Sequence, residues 1–371
     1  MNIQFTPYPL LRLGGLMLLS VLVASCHALV DQYPEADNLS TADGSTLVII
    51  DARVDRSPPL AYKEVVYDAD WRSTERLVSP EPATAMQFKD SLWMRVQLEV
   101  YDMKSNSLVD RRVLQFAPDV DAMLLQDTVC LYLPDGDYRV AGWADYVGVD
   151  TYDSDLFFAT PTLTSVETLT DAYPDDPAMR SCMSGTRDFS IDFTLVPDGR
   201  ALQSDSDGSS FASRTVEVLL ERPVGRFRFL ATDEAEFRRR GGILEEVSAR
   251  ICYKQYVAVG YDALRERKNQ FVASYEFELP SILDEDTSDE LQPLFGDYLF
   301  SNPGSETIVL ADITLYDGRG QTINSCTNLR IPVMQNRKTT ICAPLLTRSA
   351  SNSGSVDLDE KFEGETIITF N

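Results

Sequence analysis

The sequence predicts an all-β protein of two tandem β-sandwiches, on three observations. Runs of alternating apolar and polar residues recur at short spacing, with Gly, Pro, Asn and Asp between them. Helix signals are few. A polar, small-residue stretch at 203–213 divides the chain beyond residue 45 into two halves, each long enough for its own core.

The N-terminus is read first, because it is excluded from the fold. One positive side chain, Arg12, precedes an apolar run from Leu13 to Ala24. Such a run has signal-peptide length, whereas a membrane-spanning helix needs ~20 residues. Leu22-Val23-Ala24-Ser25-Cys26 then resembles a bacterial lipobox: small side chains fit the signal peptidase, and the thiol receives a lipid. The expectation is a signal peptide at 1–25 and lipidation of Cys26. Two or three acyl chains, each buried CH₂ contributing ~0.8 kcal/mol, anchor a protein stably. Residues 26–45, polar with scattered Pro, Asp and Ser, are expected to be a tether.

The N-terminal sandwich is expected at 46–202. Its first strand is TLVIIDAR, Thr46 to Arg53, broken before Pro58-Pro59. From Leu92 to Tyr101, Leu92, Met94, Val96, Leu98 and Val100 fall on one face. Arg95, Gln97 and Glu99 fall on the other, which predicts a half-buried strand. Further strands are expected at 109–116, 124–133, 137–144 and 188–195, with Asp135-Gly136 as a hairpin turn. After the linker, the C-terminal sandwich is expected at 214–371. Its strands are placed at 214–221, 224–231, 247–257, 271–279, 306–316, 322–331, 337–346 and 365–370. One helix is expected at 232–242, with Thr232 or Asp233 as cap, acids in the first turn, arginines in the last and Gly241-Gly242 as the stop.

Composition narrows the function. Asp and Glu number 58 against 33 Lys and Arg, a formal charge of -25. Phosphate neutralisation needs clustered basic residues, so nucleic acid is an unsuited partner. The single His, His27, lies beside Cys26 in the tether. Ser-His-Asp and Cys-His nucleophile pairs and His-based metal sites therefore have no donor in a folded domain. Asp205-Ser206-Asp207-Gly208 fails as a calcium loop, because its twelfth position would be Arg214. No metal site and no cofactor are expected, and the chain is not read as an enzyme. Besides Cys26, five cysteines remain, mostly inside apolar runs, which reads as buried thiols. Cys326 and Cys342, in neighbouring expected strands, are the pair to test for a disulfide. Trp143, Tyr152 and Phe157 form an aromatic group that would stack on sugar if exposed and serve as core if buried. Asp90-Ser91-Leu92 and Asp127-Thr128-Val129 match a short bacterial O-glycosylation pattern.

Several blocks resemble the fimbrillin-like lipoproteins of Bacteroidales. These are Leu133-Pro134-Asp135-Gly136-Asp137-Tyr138 leading into Trp143-Ala144-Asp145-Tyr146-Val147; Glu221-Arg222-Pro223-Val224-Gly225-Arg226; Pro332 through Ile341 with Leu345-Leu346-Thr347; and Phe362-Glu363-Gly364-Glu365. Met334-Gln335-Asn336 departs from the family, which carries a basic residue before the Asn. The resemblance implies two transthyretin-like sandwiches, an outer-membrane lipoprotein at the cell surface, and a fimbrial subunit or fimbria-associated adhesin. Its implied partners are other fimbrial subunits or surface ligands, joined by strand complementation. It also implies protease processing near the first strand in stalk subunits, for which Arg53 and Arg56 are the candidates here. The alternative is a surface glycan-binding lipoprotein of a polysaccharide uptake system, using Trp143, Tyr152 and Phe157.

Overall fold

The computed structural model describes residues 45–79, 92–117, 122–148, 154–169, 180–192, 202–204, 210–254, 256–280 and 293–348. In chain order the strands are β1 (Thr46–Asp55), β2 (Leu60–Tyr67), β3 (Ser73–Leu77), β4 (Trp93–Asp102), β5 (Ser107–Phe116), β6 (Leu124–Leu133) and β7 (Gly136–Val147). Then come β8 (Phe158–Ala159), β9 (Val166–Thr168), β10 (Met183–Ile191), β11 (Leu202–Ser204), β12 (Ser210–Leu220) and β13 (Val224–Ala231). Helix α1 (Glu234–Arg239) follows, with β14 (Ser248–Tyr253), β15 (Val257–Asp262), β16 (Arg267–Val272), β17 (Tyr275–Pro280), β18 (Pro293–Phe300), β19 (Thr307–Tyr316), β20 (Thr322–Val333) and β21 (Arg337–Ala343). The protein is all-β. Among the described residues no helix is long and apolar enough to cross a membrane.

Alternation builds the first sandwich. Val48, Ile50, Ala52 and Val54 of β1 point inward and are at most 1% exposed. They meet Val96 and Leu98 of β4, Val140 of β7 and Val218 and Leu220 of β12 in one core. One sheet of this sandwich runs β11-β12-β1-β6, the other β10-β7-β4-β5. A third small sheet, β16-β15-β9-β8, lies over the second sheet's far face. The second sandwich pairs β18-β13-β21-β2-β3 with β17-β14-β19-β20, around Phe227, Phe229, Tyr253, Phe295 and Ile331.

The two sandwiches share chain. β2 and β3 come from the N-terminal part of the sequence, yet β2 pairs in parallel with β21. β12 runs parallel to β1, and β13 continues from it into the other sandwich, also beside β21. The β1–β2 and β12–β13 connections are therefore two adjacent crossings. Pro58, Pro59 and Pro223 suit them, because proline lacks the N–H that a ladder requires.

Several expectations need correction. Residues 210–213, expected in the linker, are strand, and so are 203 and 204. Polar Ser and Gln join a ladder here because 202–204 and 210–212 pair antiparallel with each other and Ser213 reaches β1, so backbone pairing overrides side-chain polarity. Strand β4 is buried on both faces, not one. The expected 247–257 strand is two, β14 and β15, in different sheets. Cys326 and Cys342 are free thiols, because β20 and β21 belong to opposite sheets of the second sandwich and the two residues do not meet. The helix forms as expected, but Asp233 makes no side-chain cap. Its carboxylate instead accepts the backbone N–H of Leu346 and Thr347 and the Thr347 hydroxyl, tying down the chain after β21. The 365–370 strand lies outside the described residues.

Candidate interaction site at the first strand

Strand β1 sits inside its sheet, antiparallel to β6 and parallel to β12. Its inward side chains are sealed. Burying each of the larger ones contributes ~2 kcal/mol, so β1 is an integral part of the first core. On its outward face Arg53 donates to Asp51 Oδ2 at 2.7 Å and to Glu217 Oε1 at 3.1 Å. Gln126 Nε2 donates to the same Asp51 carboxylate at 2.8 and 3.0 Å. That cover leaves Asp51 only 6% exposed on a solvent-facing strand surface. Arg53 thus lies within a ladder that is paired on both sides.

Arg56 opens the crossing to β2. Its N–H donates to Met123 O at 2.7 Å. Ser57 N–H donates to Asp55 Oδ1 at 2.8 Å. Arg56 and Arg222 both face the hydroxyl of Tyr146, whose pKa burial pushes up to about 12 against their pull. Arg222 is 1% exposed. Its Nη2 donates to Arg56 O at 3.2 Å, its Nη1 to Ser57 O and its Nε to Ser181 Oγ at 2.7 Å. Beside it, Arg180 donates to Asp297 at 2.9 Å, and Tyr253 donates to the other oxygen of that carboxylate at 2.7 Å. The turn from β20 to β21 closes the junction. Asn336 N–H donates to Val224 O at 2.9 Å, and Asn336 O accepts from Leu60 N–H at 3.3 Å.

The polar face of β4 is a second buried assembly that alternation alone did not reveal. Arg95 makes a bidentate pair with Asp145 of β7 at 2.9 and 2.7 Å and reaches Asp155 at 2.9 Å. Burial pulls the Arg95 pKa down, but these two carboxylates outweigh it and the net shift is upward. Gln97 donates to Thr160 Oγ1 at 2.7 Å. Glu99 accepts from Tyr101 and from the Leu163 N–H. The clue was Asp145, an acid inside the apolar run from Val140 to Val147, which demands a buried cation.

The remaining site residues resolve unevenly. Cys26, His27 and Tyr152 lie outside the described residues, as do 205–209 and 90–91. Trp143 is 0% and Phe157 6% exposed. The Trp143 ring packs edge-on against Phe158 at 5.3 Å and also meets Tyr261 and Phe300. The third sheet covers this face of β7, so of the two readings the core one holds for Trp143 and Phe157. Thr128 lies on β6 at an exposed position. Among the described residues no group of three His, Cys, Asp or Glu is placed to hold a metal.

Comparison with known proteins adds distant likenesses. The chain is similar to the fimbrial anchor protein Mfa2 of Porphyromonas gingivalis at 8% identity, covering 75% of this chain and 82% of that one, with a TM-score of 0.33. It is similar to the tip fimbrial protein Mfa3 of the same organism at 12% identity, covering 78% and 81%, with a TM-score of 0.31. A Parabacteroides distasonis protein provisionally described as a cell adhesion protein matches at 10% identity, covering 81% and 89%, with a TM-score of 0.39. No curated protein matches the sequence. One family model matches residues 63–371, and the chain belongs to that family, the family of unknown function DUF6562.

Proposed function

We propose that this chain is a fimbrial subunit or fimbria-associated adhesin without catalytic activity. It is held at the outer membrane by lipid on Cys26, displayed at the cell surface, and joined to other subunits by β-strand complementation. The observation that carries this reading is the position of β1. The chain enters at β1, fills a slot between β6 and β12, and leaves at once for the other sandwich. Such a slot accepts an extended segment through main-chain hydrogen bonds, with alternate side chains filling the core. The sequence blocks shared with fimbrillin-like lipoproteins support the same reading.

The test is immunogold labelling of intact cells, with identification of proteins that co-purify from the outer membrane. The expected result is label on or at the base of surface filaments and co-purification of fimbrial subunits. Label confined to the periplasm, with no co-purifying subunit, contradicts it.

A further inference from the structure

Arg222-Pro223 was singled out in the sequence, and the structure gives Arg222 a specific task. Its own backbone is fixed on both sides. Glu221 exchanges N–H···O bonds with Ser184 at 2.8 and 3.0 Å, and Pro223 O accepts from Ser301 N–H at 3.1 Å. The guanidinium is therefore a stationary post that reaches from one crossing to the other. It occupies the two consecutive carbonyls of Arg56 and Ser57. A charged donor fork shared between two part-buried acceptors is among the stronger hydrogen-bonding arrangements.

A trypsin-like protease must bind its substrate as an extended strand, using backbone groups on both sides of the scissile bond and the P1 arginine side chain. At Arg56 those groups are engaged: the N–H by Met123, the carbonyls by Arg222, the side chain against Tyr146. At Arg53 the ladder on both sides excludes the enzyme. We propose that Arg222 is a latch on the first crossing, which keeps the Arg56–Ser57 bond from trypsin-like cleavage and so keeps β1 in its slot. Resting on the fimbrial reading, this makes the chain a subunit that ends an assembly: its own slot is filled, so it receives no donated strand there.

The test is limited trypsin digestion of the full membrane-extracted chain, with cut sites identified by mass spectrometry. Arg319, exposed in the turn before β20, is the reference for open cleavage. Arg228, buried in β13, reports global unfolding. The wild type should be cut after Arg319 with no early cut after Arg56. Arg222→Lys keeps the charge but not the fork, and should speed the Arg56 cut by about 10-fold or more while Arg228 stays protected. If that variant also exposes Arg228, Ser181→Ala decides, because it removes only the Nε acceptor. A selective acceleration at Arg56 then supports the latch, and none overturns it. A wild type cut as fast after Arg56 as after Arg319 overturns it, and so does an Arg222→Lys variant as resistant as the wild type. These results are independent of the labelling experiment: a resistant chain absent from fimbriae refutes the fimbrial reading and leaves the latch standing.

Discussion

Arg95 and Asp145 form a bidentate ion pair at 2.7 and 2.9 Å, with side chains 4% and 1% exposed. It joins β4 to β7 on the face covered by the third sheet. Removing Arg95 leaves the Asp145 carboxylate buried without a cation, which costs ~3–5 kcal/mol. Arg95→Met should therefore lower the urea midpoint strongly. The double variant Arg95→Met/Asp145→Leu should lose less than Arg95→Met alone, because the Asp145 charge is gone and Asp155, a third exposed, keeps its bonds from Thr160. A double variant as damaged as the sum of its singles would contradict this.

Trp143 separates a core role from a ligand-binding one. Trp143→Ala removes a fully enclosed ring and should cost ~3–5 kcal/mol in denaturant unfolding. Tyr256→Ala, at a side chain 75% exposed, should stay within ~0.5 kcal/mol of the wild type. Equal, small effects would place Trp143 outside the core.

Gly185 of β10 lies against β12. A Cβ built there would sit 2.0 Å from the Leu219 carbonyl oxygen, a backbone atom that yields only if the strand moves. Gly185→Ala should destabilise by ~1–3 kcal/mol. Hydrogen exchange should localise the loss to β10 and β12. Unchanged protection there would contradict the close approach.

Alkali should weaken the fold through its thiols. Burial pushes Cys326 and Cys342 up to about 12 from 9.0, and the carboxylate of Glu64 adds to the shift of Cys342. Below pH 9 both thiols are neutral in the folded and unfolded states alike, and stability is unaffected. Between 9 and 12 the unfolded thiol ionises while the folded one keeps its proton, so stability falls as pH rises. The slope is ~1.4 kcal/mol per pH unit for each thiol. Melting temperatures from pH 8 to 11 should fall less steeply for Cys326→Ala than for the wild type, whatever its absolute stability. Parallel curves would contradict the shift.

Much of the fold is legible in the sequence where one face of a strand meets a core and the other meets water. TLVIIDAR and the 322–331 run show this, and both are strands. Legibility fails where a second layer covers the outer face. Arg95, Gln97 and Glu99 alternate like solvent-facing residues, yet each is buried against a partner on β7 or on the segment from 155 to 163. It fails again where pairing is between distant segments. LAYKEVVY was not assigned as a strand, because its neighbour is β21; SFAS of β12 was taken for linker on its polarity, although 210–212 pair with β11 and Ser213 reaches β1. Of the candidate site, the arginines near the first strand were visible as residue types. The restraint of Arg56 by Arg222 was not, because the two crossings meet only in the folded chain.

Whether β1 stays in its slot is tested most directly by the mass of the N-terminal region of the protein recovered from outer membranes. Cys26 should be the N-terminal residue and carry lipid, with residues 46–55 still covalently attached to the rest of the chain. An N-terminus at Val54 or Ser57 would contradict it, because β1 would then have been cut away and its slot opened.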